Sequence, residues 1–384
     1  MAKKVLILGG GPGGVVAANK LLEYGRGLVE VTLVEKTGKH AYPPSFLWVM
    51  TGNREIEDVV RPLDPLARKG VRIVKASVEG IDPEGQKVRV TGGELEYDYL
   101  IVALGSRPDL EPLKGKEKVC TPWTAEGAMD CRRKLAALRG GGRIVAGPLG
   151  WPYKCPPAPF EVAFLAKYVM EQRGLGSKTS VSVVHFWEKP MEPFGPLMQD
   201  AFLKFMGMYD IGYTGRFEID KLEDGRLVSK GGDTVEFDLA IMTPVYLPPE
   251  PVANSKLANP DAGGYMRVEL STLRHPDYPN IFGVGDVIAP SIGLGMAGVF
   301  AHFQAEYVAS QIVDEVKGTF MGEHYNMSGV CVMDLGYAGA AVYCDFSQKL
   351  QGRTEYPDCV MLGGMKAFRA VKAAFERYWF ERWL

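Results

Sequence analysis

Residues 3–14 read KKVLILGGGPGG. A short apolar run that breaks into glycines predicts a parallel strand buried on both faces and ending in a tight turn. The glycines fall as Gly9-x-Gly11-x-x-Gly14 and lead into VVAANKLLEYG, which predicts a helix. A second strand-like run, VEVTLVEK, reaches Glu35 about 20 residues beyond the loop, the spacing of a βαβ dinucleotide-binding unit. In such a unit the glycines let backbone approach a pyrophosphate, and the helix N-terminus offers free N–H groups and the positive end of its dipole. Glu35 suits a ribose 2′-OH, which favours an unphosphorylated adenosine ribose such as that of FAD or NAD. Lys36 adjoins it and is counted with the cofactor contacts.

Two later segments narrow the cofactor. EYDYLIVALGSRP (96–108) is an apolar strand running into Ala103-Leu-Gly105-Ser, and HPDYPNIFGVGDVIAP (275–290) ends a strand in G-x-Gly285-Asp286. Both are similar to the second and third signatures of FAD-dependent pyridine-nucleotide-disulfide-reductase folds. The resemblance implies FAD lined by Ala103 and Gly105, with Asp286 taking a ribityl hydroxyl beside Gly285. The alternative is an NAD-binding Rossmann domain with unrelated strands.

Residues 115–270 repeat an α/β pattern: GGRIVAG, a helix from Phe160, TSVSVVHFW, a helix near 196–208, and EFDLAIMTP. The expected class is therefore α/β, with two doubly wound Rossmann-like domains, the second inserted in the first. The FAD-binding domain takes residues 1–114 and 271–319, the insert takes 115–270, and an amphipathic helical region takes 320–384.

Composition removes other classes. The chain has 384 residues and 46% hydrophobic content, enough for two or three domains. A net charge of −2 leaves no electrostatic footprint for nucleic acid. Six cysteines without a C-x-x-C pair suit neither a disulfide-stapled scaffold nor a zinc ribbon, so no metal site is expected. The N-terminal apolar run is shorter than the roughly 7–15 residues of a signal-peptide core. IFGVGDVIAPSIGLGMAGVFA is interrupted by Asp286 and turn residues and is not read as a membrane span.

The stretch that breaks the pattern is WPYKCPPAPFEVA (151–163). It stands where a second glycine-rich loop would hold NAD(P). Proline has no N–H to donate and stiffens the chain, so Pro152, Pro156, Pro157 and Pro159 disfavour a phosphate there. The loop instead holds Cys155 beside Lys154 and near a helix N-terminus, two features expected to favour the thiolate. The plainer alternative is a buried cysteine packing as a small hydrophobe.

With the flavin signatures, KCPPAPFE and a later cysteine, the chain resembles the sulfide:quinone oxidoreductase family and its relative, the flavoprotein of flavocytochrome c sulfide dehydrogenase. The resemblance covers nearly the whole chain. It implies that Cys155 and Cys331, in MSGVCVMDLGYAGAAVYCDF, alternate between a disulfide or sulfur-bridged pair and reduced forms. Sulfide would open that bridge to a persulfide, and Cys331 would pass electrons to FAD. Cys120, in KVCTPWTAEGAM, matches a third family cysteine; Cys131, Cys344 and Cys359 are read as packing residues. Glu161 matches a family glutamate able to move protons; alternatively it complements the helix dipole. Thr124 and Met296 replace a family histidine and lysine, which leaves backbone N–H groups near Gly298 to balance a reduced flavin. HAYPPSFLW lacks the cysteine that links flavin in some members, so FAD is expected to be non-covalent.

The tail ends in GGMKAFRAVKAAFERYWFERWL. On a helix, Phe368, Val371, Phe375, Tyr378, Trp379 and Trp383 share a face, the profile of a helix lying in a membrane interface. The alternatives are packing on the chain's own core or a dimer interface, and association into a homo-oligomer stays open. KAAFERY resembles the family's C-terminal helix, which implies Lys372 and Phe375 beside a membrane quinone. The expected protein is a peripheral enzyme of the cytoplasmic membrane, on an unspecified face, that takes electrons from sulfide to quinone. The competing readings are a flavoprotein donating to cytochrome c, an NADH-dependent reductase like type II NADH dehydrogenases, and a flavoprotein that has lost turnover.

Overall fold

The computed structural model describes residues 2–320, 322 and 325–384; Met1 and, within the expected tail region, Met321, Glu323 and His324 lie outside the described residues. The glycine-flanked run forms β1 (Lys3–Leu8), followed by α1 (Pro12–Tyr24) and β2 (Val29–Val34). Next come the short helix α2 (Phe46–Thr51), β3 (Arg72–Val74) and β4 (Tyr99–Val102). The middle of the chain gives β5 (Val119–Cys120), α3 (Ala125–Ala137), β6 (Gly142–Pro148), α4 (Ala158–Gln172), β7 (Thr179–Val184), α5 (Pro196–Met208), β8 (Ile211–Thr214) and β9 (Leu239–Thr243). The chain then forms β10 (Ile281–Gly283), α6 (Gly298–Lys317), β11 (Ser328–Asp334), β12 (Gly339–Asp345), β13 (Asp358–Met365) and α7 (Lys366–Trp383).

Two five-stranded parallel sheets result. Their orders are β10-β4-β1-β2-β3 and β5-β9-β6-β7-β8. Each opens at its centre with the strand that precedes a key loop, β1 in one sheet and β6 in the other. Buried runs such as Val5–Leu8 and Leu239–Met242 are covered on both faces, which is why they read as unbroken apolar stretches. Open parallel sheets bind ligands beyond the carboxyl ends of their strands, where the strand order reverses. β10 joins the first sheet from far along the chain and carries Gly285-Asp286 to that edge.

The C-terminal region differs from the expected helix alone. β11, β12 and β13 form a three-stranded antiparallel sheet ahead of α7. Its inner face includes Gly329, Cys331 and Met333, the period-2 alternation of a half-covered sheet.

Candidate active site

The first loop is built around its glycines. Gly9 has φ +105°, and a Cβ there would lie 2.4 Å from the Ala103 carbonyl oxygen. A Cβ on Gly14 would lie 1.8 Å from the Gly9 oxygen, so only glycine lets α1 start this close to β1. Gly11, the residue before α1, and Gly105 have nothing within 4 Å of that position, which leaves room above the loop. Glu35 accepts hydrogen bonds from Gly10 N at 3.0 Å and from Thr37 N and Oγ1 at 3.0 Å each. Lys36 beside it is exposed. Gly285, at φ +80°, donates its N–H to Gln304 Oε1, and Gly298 begins α6 facing Pro12. Trp123 Nε1 and Tyr265 OH are buried without partners among the described residues, in the apolar cluster that holds Met296. A glycine cradle, a helix N-terminus and unpaired donors fit a flavin dinucleotide.

The second loop is built around Cys155. His185 Nδ1 accepts Trp187 N at 3.0 Å, so its Nε2–H donates to Tyr153 OH, also at 3.0 Å; that hydroxyl donates to Pro156 O. Burial pushes His185 down to about 3, so this neutral tautomer persists at ordinary pH. The buried Tyr153–His185 link props the cysteine loop from below. Cys155 itself has φ +55°, donates its N–H to Met296 O at 2.7 Å and accepts Ala158 N at the start of α4.

β11 brings Cys331 into hydrogen-bond contact with Cys155, 176 residues away in sequence. Both thiols are free and part-exposed. The Cys331 contact, then burial, then nearby Glu161 push the Cys155 thiol well up. Glu161 is buried one turn into α4. It accepts Asp334 N at 2.8 Å and pairs with Lys372 Nζ from α7. Burial pushes the Glu161 carboxyl up despite Lys372; burial alone would lower Lys372, but Glu161 outweighs it and holds the ammonium charged. Asp334 closes the set. Its carboxylate accepts Trp48 Nε1 at 2.9 Å, Arg369 Nε at 3.0 Å and Gly336 N at 2.8 Å. Two buried carboxylates therefore face two cations, with Trp48 under Lys372 at 5.4 Å. Tyr42 lies beside this network; burial, Glu376, Cys331 and Glu161 all raise its hydroxyl.

Residues 3–146 match the family described as pyridine nucleotide-disulphide oxidoreductase. A sulfide-quinone reductase of Aquifex aeolicus is 27% identical over 90% of this chain and 84% of its own length. A mitochondrial sulfide:quinone oxidoreductase of Mus musculus is 26% identical over 74% of this chain and 65% of its own length. The X-ray structure of the Aquifex aeolicus sulfide:quinone oxidoreductase superposes with TM-score 0.85 at 24% identity, covering 100% of this chain and 91% of that one. The chain is similar to sulfide:quinone oxidoreductases over most of its length. It is an oxidoreductase with the two-domain Rossmann-type flavoprotein fold.

Several expectations change within this family frame. Cys120 is not free to act with Cys155; it is disulfide-bonded to Cys131 between β5 and α3. Cys344 and Cys359, read as packing residues, form a second disulfide at opposed positions of β12 and β13. Lys154 does not activate its neighbour Cys155, whose thiol is pushed up. It pairs with Asp286 at 2.9 Å over the Tyr246 ring, placing a cation beside a proposed flavin contact. Thr124 in the family histidine's region caps α3, accepting Gly127 N at 3.0 Å.

The shared apolar face of the C-terminal helix is divided. Trp379 and Trp383 are buried with Phe380, whereas Val371, Phe375 and Tyr378 are exposed. Lys372 points inward to Glu161, and Phe375 sits at the rim. Sequence reasoning missed Asp334, Trp48 and Tyr42. The buried aspartate at the end of an apolar strand was the only signal available.

Proposed function

We propose that this chain oxidises sulfide and passes the electrons to quinone, with Cys155 and Cys331 as the reactive pair. The observation that carries this reading is the meeting of the two free thiols above a buried glutamate–lysine pair. In the oxidised pair, hydrosulfide attacks one sulfur. A new S–S bond forms on that cysteine as a persulfide, the Cys155–Cys331 bond breaks, and the other cysteine leaves as a thiolate. The leaving thiolate is assigned to Cys331. FAD, when bound non-covalently by Gly9, Gly11, Gly14, Glu35, Lys36, Ala103, Gly105, Gly285, Asp286 and Gly298, supplies the two-electron acceptor between thiol and quinone.

The chain's own groups manage charge. In the reduced pair the raised Cys155 thiol stays protonated. Glu161, pushed up by burial, takes or returns the proton, and Lys372 balances negative charge toward the quinone side beside Phe375. The single ion pair joins residues read separately as sulfide-side and quinone-side groups.

The domain limits proposed are 1–114 with 271–319, 115–270 and 320–384. Among the described residues no helix is long and apolar enough to cross a membrane. Exposed Val371, Phe375 and Tyr378 on α7, and Val330, Tyr343 and Val360 aligned across the outer face of β11–β13, support peripheral binding to a membrane surface. Mixing the protein anaerobically with sulfide tests the pair: Cys155→Ser and Cys331→Ser should each stop flavin bleaching while FAD stays bound. Normal bleaching in either variant removes that cysteine from the reaction.

A further inference from the structure

His40 lies fully buried between the first glycine loop and the C-terminal helix. Its Nδ1 is 2.8 Å from the Gly10 carbonyl oxygen, and its Nε2 is 2.9 Å from Trp379 Nε1. Indole nitrogen can only donate, so Nε2 must accept and the ring proton must sit on Nδ1. Nδ1–H therefore donates to Gly10 O, and Trp379 selects the tautomer that makes this bond. The Trp379 ring also lies within 6.0 Å of the imidazole, and Phe380 meets it edge-on.

The consequence falls on the peptide joining Gly10 to Gly11. A trans peptide is planar, and its C=O and N–H point in opposite directions. With the Gly10 oxygen drawn inward to His40, the Gly11 N–H is aimed outward, at the open side where nothing comes within 4 Å of a Cβ. The preceding Gly10 N–H is separately held by Glu35. α7 grips the same unit a second time, where Trp383 O accepts Asn19 Nδ2 from α1 at 3.0 Å.

We propose that His40 and Trp379 are positioning residues of the flavin site: the C-terminal helix, through one imidazole, fixes the loop amide that faces the cofactor diphosphate. This inference rests on the FAD reading of the glycine loop.

The test is FAD affinity of deflavinated protein, followed by flavin absorbance and fluorescence, for Trp379→Phe, His40→Asn, His40→Ala and the Trp379→Phe/His40→Ala double variant. Trp379→Phe removes the N–H with part of the indole but leaves an aromatic ring against Tyr42, so it is the milder variant to read if His40→Ala folds poorly. It should weaken FAD binding about five- to tenfold, the worth of one neutral hydrogen bond. His40→Ala should weaken it at least as much, and adding Trp379→Phe to His40→Ala should change nothing further. His40→Asn, which restores a donor toward Gly10 O, should recover part of the loss. Arg377→Ala on the exposed side of the same helix should bind FAD like the parent. Parent affinity in Trp379→Phe, or additive losses in the double variant, would overturn the inference while leaving the FAD reading intact. A parent protein that takes up no FAD would overturn both.

Discussion

The loops after β1 and β6 occupy equivalent places in two sheets whose four matching strands run in the same order, yet they do opposite work. The first spends glycine on closeness: Gly9 and Gly14 have no room for a Cβ, and the Gly11 side stays open. The second fills the same place with prolines that lack N–H groups, and its one prominent N–H, from Cys155, is already bonded to Met296 O. One loop brings glycine backbone close to an anion; the other is crowded with proline and presents sulfur instead. Strand order places a site at each loop, while the loop residues decide its chemistry.

The largest effect expected from breaking this contrast is chemical. Losing either thiol should cut sulfide-driven flavin reduction on the order of 10^4-fold, read by stopped-flow absorbance, with the flavin spectrum retained. Gly14→Ala comes next. Its Cβ would meet the Gly9 oxygen at 1.8 Å, so FAD affinity should fall by about a hundredfold. Gly150→Ala in the second loop meets only a Val245 methyl at 3.1 Å and should leave FAD binding unchanged; equal losses in both would erase the distinction between the loops.

Glu161→Gln leaves Lys372 charged and unpaired in the core. It should cost about 3 kcal/mol in denaturant unfolding, and Lys372→Met in the same chain should restore most of it. His40 adds an acid sensitivity. Burial lowers it from 6.5 to about 4, with the Gly10 bond and Glu35 opposing. A depressed histidine contributes its full stability above 6.5 and loses it as pH falls toward 4, up to about 3 kcal/mol in all. His40→Asn should flatten the unfolding curve in that window. The smallest effect is at the surface. Val371→Ser and Tyr378→Ser should change stability by less than about 0.5 kcal/mol but reduce co-sedimentation with lipid vesicles. Unchanged sedimentation would move the membrane contact elsewhere. Point changes serve better here than truncation, which would remove Trp379 and Trp383 from the core.

The sequence was most legible where chemistry is local. The β1 loop, the Gly285-Asp286 turn and the proline-bound cysteine each carry their signal within a dozen residues. The contacts that complete the site span far more chain: Glu161 with Lys372 is separated by 211 residues, and His40 with Trp379 by 339. Periodicity cannot report such pairings. It placed Trp379 and Trp383 on one helix face, but nothing in that pattern says whether membrane or core covers the face. The antiparallel sheet of the tail was hidden because its strands are rich in glycine, alanine and cysteine, which blur the strand pattern. Cys120 went astray for a related reason: its partner Cys131 lies on α3, and spacing alone does not fix pairing.

The most direct test of the central contrast is anaerobic stopped-flow absorbance of the yellow protein mixed separately with sulfide and with NADH. Fast bleaching by sulfide, lost in Cys155→Ser and reversed by a soluble quinone, is the expected result. Bleaching by NADH with none by sulfide would contradict it, because the proline-bound loop would then be holding a nucleotide after all.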